Sequence, residues 1–108
     1  MHLSATSLRG NKVRNAKGED LGKVEDFMLD TSTGEVSYAV LSFGGVMGIG
    51  DKLFAVPLQA MRTDTEKHEF ILDESRERLE KAPGFDKDKW PETSDNKWHQ
   101  EVRTYYNI

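Results

Sequence analysis

The 108-residue sequence contains no cysteine, only three prolines and no long apolar run. Without cysteine, the chain can form neither disulfides nor thiolate metal sites, and it has no cysteine nucleophile. The first 15 residues lack the apolar segment of a secretory signal. The longest uncharged run, residues 36–50, is shorter than the roughly 20 apolar residues that a membrane-spanning helix needs. We therefore expect a cytoplasmic protein without a membrane span.

The charge of the chain argues against two classes of partner. The formal net charge is −4, and both signs are spread along the chain, which argues against nucleic acid or an anionic membrane as the partner. Hydrophobic residues make up 36% of the sequence. One domain with a compact core and a large polar surface fits this length and composition.

Residues 35–58 are the one long stretch that is both apolar and nearly free of charge. They predict two strands joined by a glycine-rich connection. The first of these has no polar interruption from Tyr38 to Leu41, which is typical of a strand buried on both faces. Alternation of apolar residues breaks in the strand before it, which predicts a bulge near Gly22 or Val24. In all, the pattern predicts strands at residues 7–14, 21–29, 36–43, 53–56 and 68–72.

The pattern changes after Asp73. Asp73 can cap a short helix at residues 74–81, which Pro83 and Gly84 would end. An extended aromatic segment and a last helix at residues 96–106 follow, with Trp98, Val102 and Tyr105 on one stripe of that helix. We therefore predict a mainly β fold. Residues 1–73 would form a small five- to six-stranded antiparallel β-barrel, and residues 74–108 a helical, aromatic-rich C-terminal arm.

No set of catalytic, metal-binding or cofactor-binding residues emerges. The spacing of Gly45 and Gly50 matches a phosphate-binding loop, but Asp51 stands where that loop needs lysine. The histidines at 2, 68 and 99 lie far apart in sequence without metal-ligand spacing, so we interpret them as surface or turn residues. The sequence therefore predicts a protein that is not an enzyme and has no cofactor.

Two groups of residues are candidates for a protein interface. An apolar loop tip would be adhesive if exposed, and tail aromatics can bury large areas against the barrel or against a second chain. The predicted interface residues are Val46, Met47, Ile49, Trp90, Trp98, Tyr105 and Tyr106. An arm exchanged between two chains would give a homodimer with two-fold symmetry.

Two segments resemble the PRC-barrel family, which is named after the cytoplasmic domain of the photosynthetic reaction centre H subunit. These are residues 13–26, VRNAKGEDLGKVED, and residues 38–57, YAVLSFGGVMGIGDKLFAVP. The tail segment 82–91, APGFDKDKWP, resembles that of stand-alone bacterial members. The resemblance implies a binding and assembly module with no common catalytic residues, hence a self-associating protein whose protein partner is unknown.

Two alternatives stay open. The family also includes the C-terminal domain of a ribosome maturation factor, so an RNA- or ribosome-associated role would follow from that branch. A small-ligand-binding protein or an enzyme would need a concave pocket with convergent polar groups.

Overall fold

The computed structural model describes residues 2–43, 52–86, 89–91 and 96–107. Within these ranges the chain forms seven strands, three α-helices and one short 3-10 helix. The strands are β1 (Lys12–Arg14), β2 (Asp20–Asp30), β3 (Glu35–Phe43), β4 (Lys52–Pro57), β5 (Met61–Asp64), β6 (Glu69–Leu72) and β7 (Gly84–Asp86). The helices are α1 (Ala5–Leu8), α2 (Arg76–Glu80) and α3 (Asn96–Tyr105), and the 3-10 helix is Leu58–Ala60.

All seven strands belong to one mixed sheet in the order β5-β6-β1-β2-β3-β4-β7. The pairing of β1 with β6 is parallel and the other pairings are antiparallel. In the part of the chain that the structure describes, the outer strands β5 and β7 do not pair with each other, so the sheet does not close. The mainly β fold is confirmed, whereas the structure has more strands than predicted and one parallel pair.

Chain connectivity nevertheless makes the sheet curl strongly. Strands β4 and β5 are joined by three residues, although β4 is sixth and β5 first in the sheet order. In a flat sheet, strands five places apart would be separated by about 24 Å. The link from Pro57 to Met61 spans at most about 15 Å. The sheet must therefore bend back on itself, which creates a concave inner face.

The two strands of the apolar stretch lie at the centre of the packing. Residues Tyr38, Ala39, Val40 and Leu41 of β3 are all buried. Since neighbouring side chains on a strand point to opposite faces, β3 must be covered on both sides. The helix α3 packs on the outer face through contacts with Tyr38. The prediction of a strand buried on both faces is confirmed, and this double cover explains why the sequence there has no polar interruption.

The predicted bulge is also present in β2. Its pairing with β3 shifts register between Val24 and Asp26, and its pairing with β1 is irregular opposite residues 20–23. Gly22 lies in that irregular stretch with a φ of +96°, a backbone conformation that residues with a Cβ rarely adopt. The bulge is thus the local solution that lets β2 bend between two partners.

The N-terminal region differs from the prediction. Residues 7–14 were expected to form one strand, but Ala5–Leu8 form α1 and β1 begins only at Lys12. The side chain of Ser4 accepts a hydrogen bond from the backbone N–H of Ser7 at 3.2 Å, which caps the helix start. None of the α1 residues is buried. Strand pairing therefore begins where Val13 can enter the core.

Residues 74–108 contribute to the same core. Leu79 of α2 and Val102 of α3 are fully buried, and Tyr106 is 6% exposed. Both predicted helices are confirmed with slightly shorter bounds. The cap of α2 differs from the prediction, because Ser75 and not Asp73 caps the helix. The Ser75 Oγ lies 3.1 Å from the Arg78 amide nitrogen. The extended aromatic segment contains β7, which pairs with β4.

Candidate interaction surfaces

A row of aromatic rings runs from the edge of the sheet to helix α3. We call Trp90, Phe85, Trp98, His99 and Tyr38 the aromatic row. Ring centroids lie 5.1 Å apart for Trp90 and Phe85, 6.1 Å for Phe85 and Trp98, and 5.7 Å for Trp98 and Tyr38. Tilted and edge-to-face contacts of this kind stabilise aromatic clusters beyond their buried area. The row therefore fixes the arm segment to the sheet.

The inner end of the row combines a hydrogen bond with ring stacking. The Tyr38 hydroxyl lies 2.8 Å from Nδ1 of His99, and the two rings stack with centroids 5.4 Å apart. Burial raises the pKa of Tyr38, and the nearby Arg103 charge opposes that shift. Tyr38 is therefore neutral at physiological pH. The prediction that His99 is a surface or turn residue is wrong, because α3 turns its ring onto β3.

The outer end of the row lies at β7, whose outer side pairs with no strand among the described residues. Phe85 is the central residue of this three-residue strand, and its register partner is Leu53 of β4. Trp90 covers Phe85 and is itself 42% exposed. Edge strands present backbone groups that can pair with another chain. An exposed tryptophan beside such an edge is a candidate docking point.

The predicted interface residues divide into three groups. Val46, Met47 and Ile49 lie outside the described residues, as does the glycine loop. The two ends of that loop segment are defined: Phe43 and Lys52 face each other across β3 and β4, and Lys52 also faces Asp86 of β7.

Trp98, Tyr105 and Tyr106 make contacts within the chain. Trp98 is half-buried in the aromatic row. Tyr105 and Arg78 exchange hydrogen bonds, each side chain bonding the other residue's carbonyl oxygen, and the guanidinium carbon lies 4.1 Å from the Tyr105 ring centroid. Tyr106 is buried beside them. Their role in an interface between chains stays a prediction, as does that of Trp90.

An apolar groove lies beside β5, which stands at the other end of the strand order from β7. It encloses about 640 Å³ between α1, the distal part of the β2–β3 hairpin and β5. Two exposed leucines border it, Leu3 at 47% and Leu29 at 58% exposure. Sequence reasoning missed the groove because its lining comes from six separate segments. The exposed Leu29 at the end of β2 was its one visible signal.

A smaller cavity of about 360 Å³ contains polar groups but no assembled catalytic set. Asp30, Ser37 and His99 all line it. The carboxylate of Asp30 accepts hydrogen bonds from the Ser32 hydroxyl at 2.5 Å and its amide at 3.0 Å, which lower the pKa of Asp30. The His99 ring is paired with Tyr38. Asp30 and His99 are thus engaged with partners other than each other.

The described ranges contain neither a metal-binding group of side chains nor a helix that could span a membrane. No group of three or more histidine, aspartate or glutamate side chains is arranged to hold a metal ion there. No helix in those ranges combines the length and apolar character needed to cross a bilayer.

Comparison with known proteins identifies the family. No curated protein matched the chain. The family model of the PRC-barrel domain matches residues 1–79, which include β1 to β6 and most of α2, whereas β7 and the aromatic residues of α3 follow the matched region. The resemblance noted from the sequence is confirmed, and the chain belongs to the PRC-barrel domain family.

Proposed function

We propose that this PRC-barrel protein is a non-catalytic interaction module of the bacterial cytoplasm that self-associates into a homodimer. The observation that carries the proposal is the exposed Trp90 beside the open edge of β7. The occupant of that edge would be a second copy of the same chain.

The edge supports pairing between two copies about a two-fold axis. β7 ends the sheet order, so its outer side has no strand partner among the described residues. Antiparallel pairing of β7 with β7 of a second copy would extend the sheet across the dimer, with Phe85 near the axis. An interface of this kind is self-complementary by symmetry. Backbone hydrogen bonds would set the register.

The side chains around the edge suit the same arrangement. Trp90 and Phe85 would form the apolar centre, and tryptophan is enriched among residues that dominate interface energies. Asp86 and Lys89 are both exposed and carry opposite charges three residues apart. These two opposite charges cancel each other, so they do not oppose the approach of a second copy.

Light scattering on the purified full-length chain tests the proposal. We expect a mass of two chains at micromolar concentration for the wild type. Trp90→Ser should raise the dimer dissociation constant at least tenfold, and Trp90→Phe should restore most of the association because it retains a ring over Phe85. Leu29→Ser is the control for loss of an exposed apolar side chain, since Leu29 is 58% exposed, against 42% for Trp90, and lies on β2 rather than beside β7.

Two results would contradict the proposal. A wild-type chain that stays monomeric at high micromolar concentration would refute self-association. A dimer that is unaffected by Trp90→Ser but lost in Leu29→Ser would place the interface elsewhere.

A further inference from the structure

We propose that the apolar groove is a binding site for an anionic amphiphile, namely an acyl chain whose carboxylate is held by Arg62. This goes beyond the proposed self-association. It concerns different residues, since β5 lines the groove and β7 forms the proposed dimer edge.

The size and lining of the groove fit an acyl chain. Its volume of about 640 Å³ lies within the range of about 300–1,000 Å³ that is usual for small-molecule sites. Phe27, Val36, Leu58, Met61 and Phe70 contribute apolar surface from different strands and from the 3-10 helix. A chain of methylene groups in this groove would leave water for an apolar lining, which is favourable for every methylene buried.

Exposed leucines at the rim support a ligand that covers the opening. Among the described residues, three large hydrophobic side chains are clearly exposed, and two of them, Leu3 and Leu29, border this one groove. Concentration of exposed apolar area around a concave surface marks a binding groove rather than the usual scatter of surface leucines.

The carboxylate head group of the ligand is assigned from the charge of the residues that line the groove. Among the described residues that line the groove, Arg62 alone carries a charge, and it makes no ion pair within the described ranges. The nearby carboxylates of Asp64 and Glu69 lie 3.4 and 3.3 Å from the guanidinium of Arg14 and are engaged there. The forked guanidinium of arginine matches a carboxylate with two parallel hydrogen bonds.

Titration calorimetry with monomeric octanoate, decanoate and dodecanoate, each below its micelle concentration, tests the acyl-chain part. From the free energy of burying a methylene, we expect affinity to rise about fourfold per added methylene until the groove is filled. Affinity that does not depend on chain length would overturn the proposal.

Matched ligands and variants test the head group and the location. Decanoate should bind at least tenfold more tightly than 1-decanol or decyltrimethylammonium, and Arg62→Gln should abolish that preference. Ala5→Trp should block binding because Ala5 lines the groove, whereas Thr6→Trp, on the same exposed helix but outside the lining, should not. Binding that survives Ala5→Trp, or that favours the cation, would refute the site.

Discussion

Replacing Gly22 by alanine should be among the most damaging single-methyl additions to this fold. An alanine Cβ at that position would lie 2.1 Å from the carbonyl oxygen of Ser42 and 3.1 Å from the Cβ of Phe43. The first distance is about 1 Å shorter than any tolerated contact, and the obstacle is backbone of the neighbouring strand, which cannot rotate away. Strands β2 and β3 would have to separate where Lys23 faces Ser42.

Two costs add at this position. A left-handed backbone conformation costs alanine about 1–2 kcal/mol. Separation of the strands leaves at least one buried backbone group without a partner, which costs about 1–3 kcal/mol more. We expect Gly22→Ala to lower the free energy of unfolding by about 2–5 kcal/mol, a large part of the roughly 5–15 kcal/mol that is typical of a domain. Equilibrium urea denaturation measures this difference.

Gly18→Ala is the matched control for the backbone term. Gly18 has a φ of +85°, close to that of Gly22, but an added Cβ would meet no heavy atom within 4 Å. This variant should lose only about 1–2 kcal/mol. If the two variants are equally destabilised, the contact with Ser42 has no energetic consequence and the reasoning is wrong.

Three further substitutions probe the C-terminal packing and the β1–β2 turn. The Tyr106 hydroxyl is buried without a hydrogen-bond partner in the described ranges, so Tyr106→Phe should raise the free energy of unfolding by about 1 kcal/mol; a loss of stability would show a partner for the hydroxyl. Burial raises the pKa of Tyr106 in the folded chain, so the unfolded chain releases this proton first and stability falls as pH rises above about 10. The wild type should lose up to about 1.4 kcal/mol per pH unit more there than Tyr106→Phe in parallel thermal melts, and equal slopes would contradict this. Leu79→Ala should cost about 2–5 kcal/mol in urea denaturation, because it empties a fully buried site; a cost below 1 kcal/mol would mean that α2 is dispensable. The buried Asn15 side chain bonds Glu19 at 2.7 Å and the Glu74 carbonyl at 3.1 Å, so Asn15→Ala should cost about 2–4 kcal/mol in urea denaturation; a cost below about 1 kcal/mol would mean that water replaces these bonds.

The elements that could be predicted from the sequence are those whose pattern is local. Strands β2, β3, β4 and β6 have enough apolar residues at strand spacing to be recognised, and the buried run from Tyr38 to Leu41 identified the centre of the sheet. The Asp30–Gly34 turn and the break at Pro83 and Gly84 are likewise written in a few neighbouring residues.

The elements that escaped prediction depend on distant partners. β5 has the sequence MRTD and β7 the sequence GFD. In each strand, at most one apolar side chain points inward. Each is a strand because an open edge of another strand is available beside it, which no local pattern reveals. The parallel pairing of β1 with β6 has the same origin.

The candidate surfaces show the same difference between features with a local sequence pattern and features that depend on distant residues. The aromatic residues of the arm were visible as a group, but their order from Trp90 to Tyr38 required the positions of β7 and α3. The groove residues could not be grouped, because residues such as Leu3, Leu29 and Arg62 have no sequence relationship to one another.

The position of β1 between β2 and β6 has a consequence for the emergence of the chain from the ribosome. Strand β1 gains one partner almost at once, through the turn to β2. Its other partner, β6 (Glu69–Leu72), is synthesised much later. Closing a contact as distant as that of Lys12 with Glu69 is entropically costly and slows folding. The growing chain therefore exposes the apolar flank of β1 during most of its synthesis, and the arrival of β6 is the step that buries it.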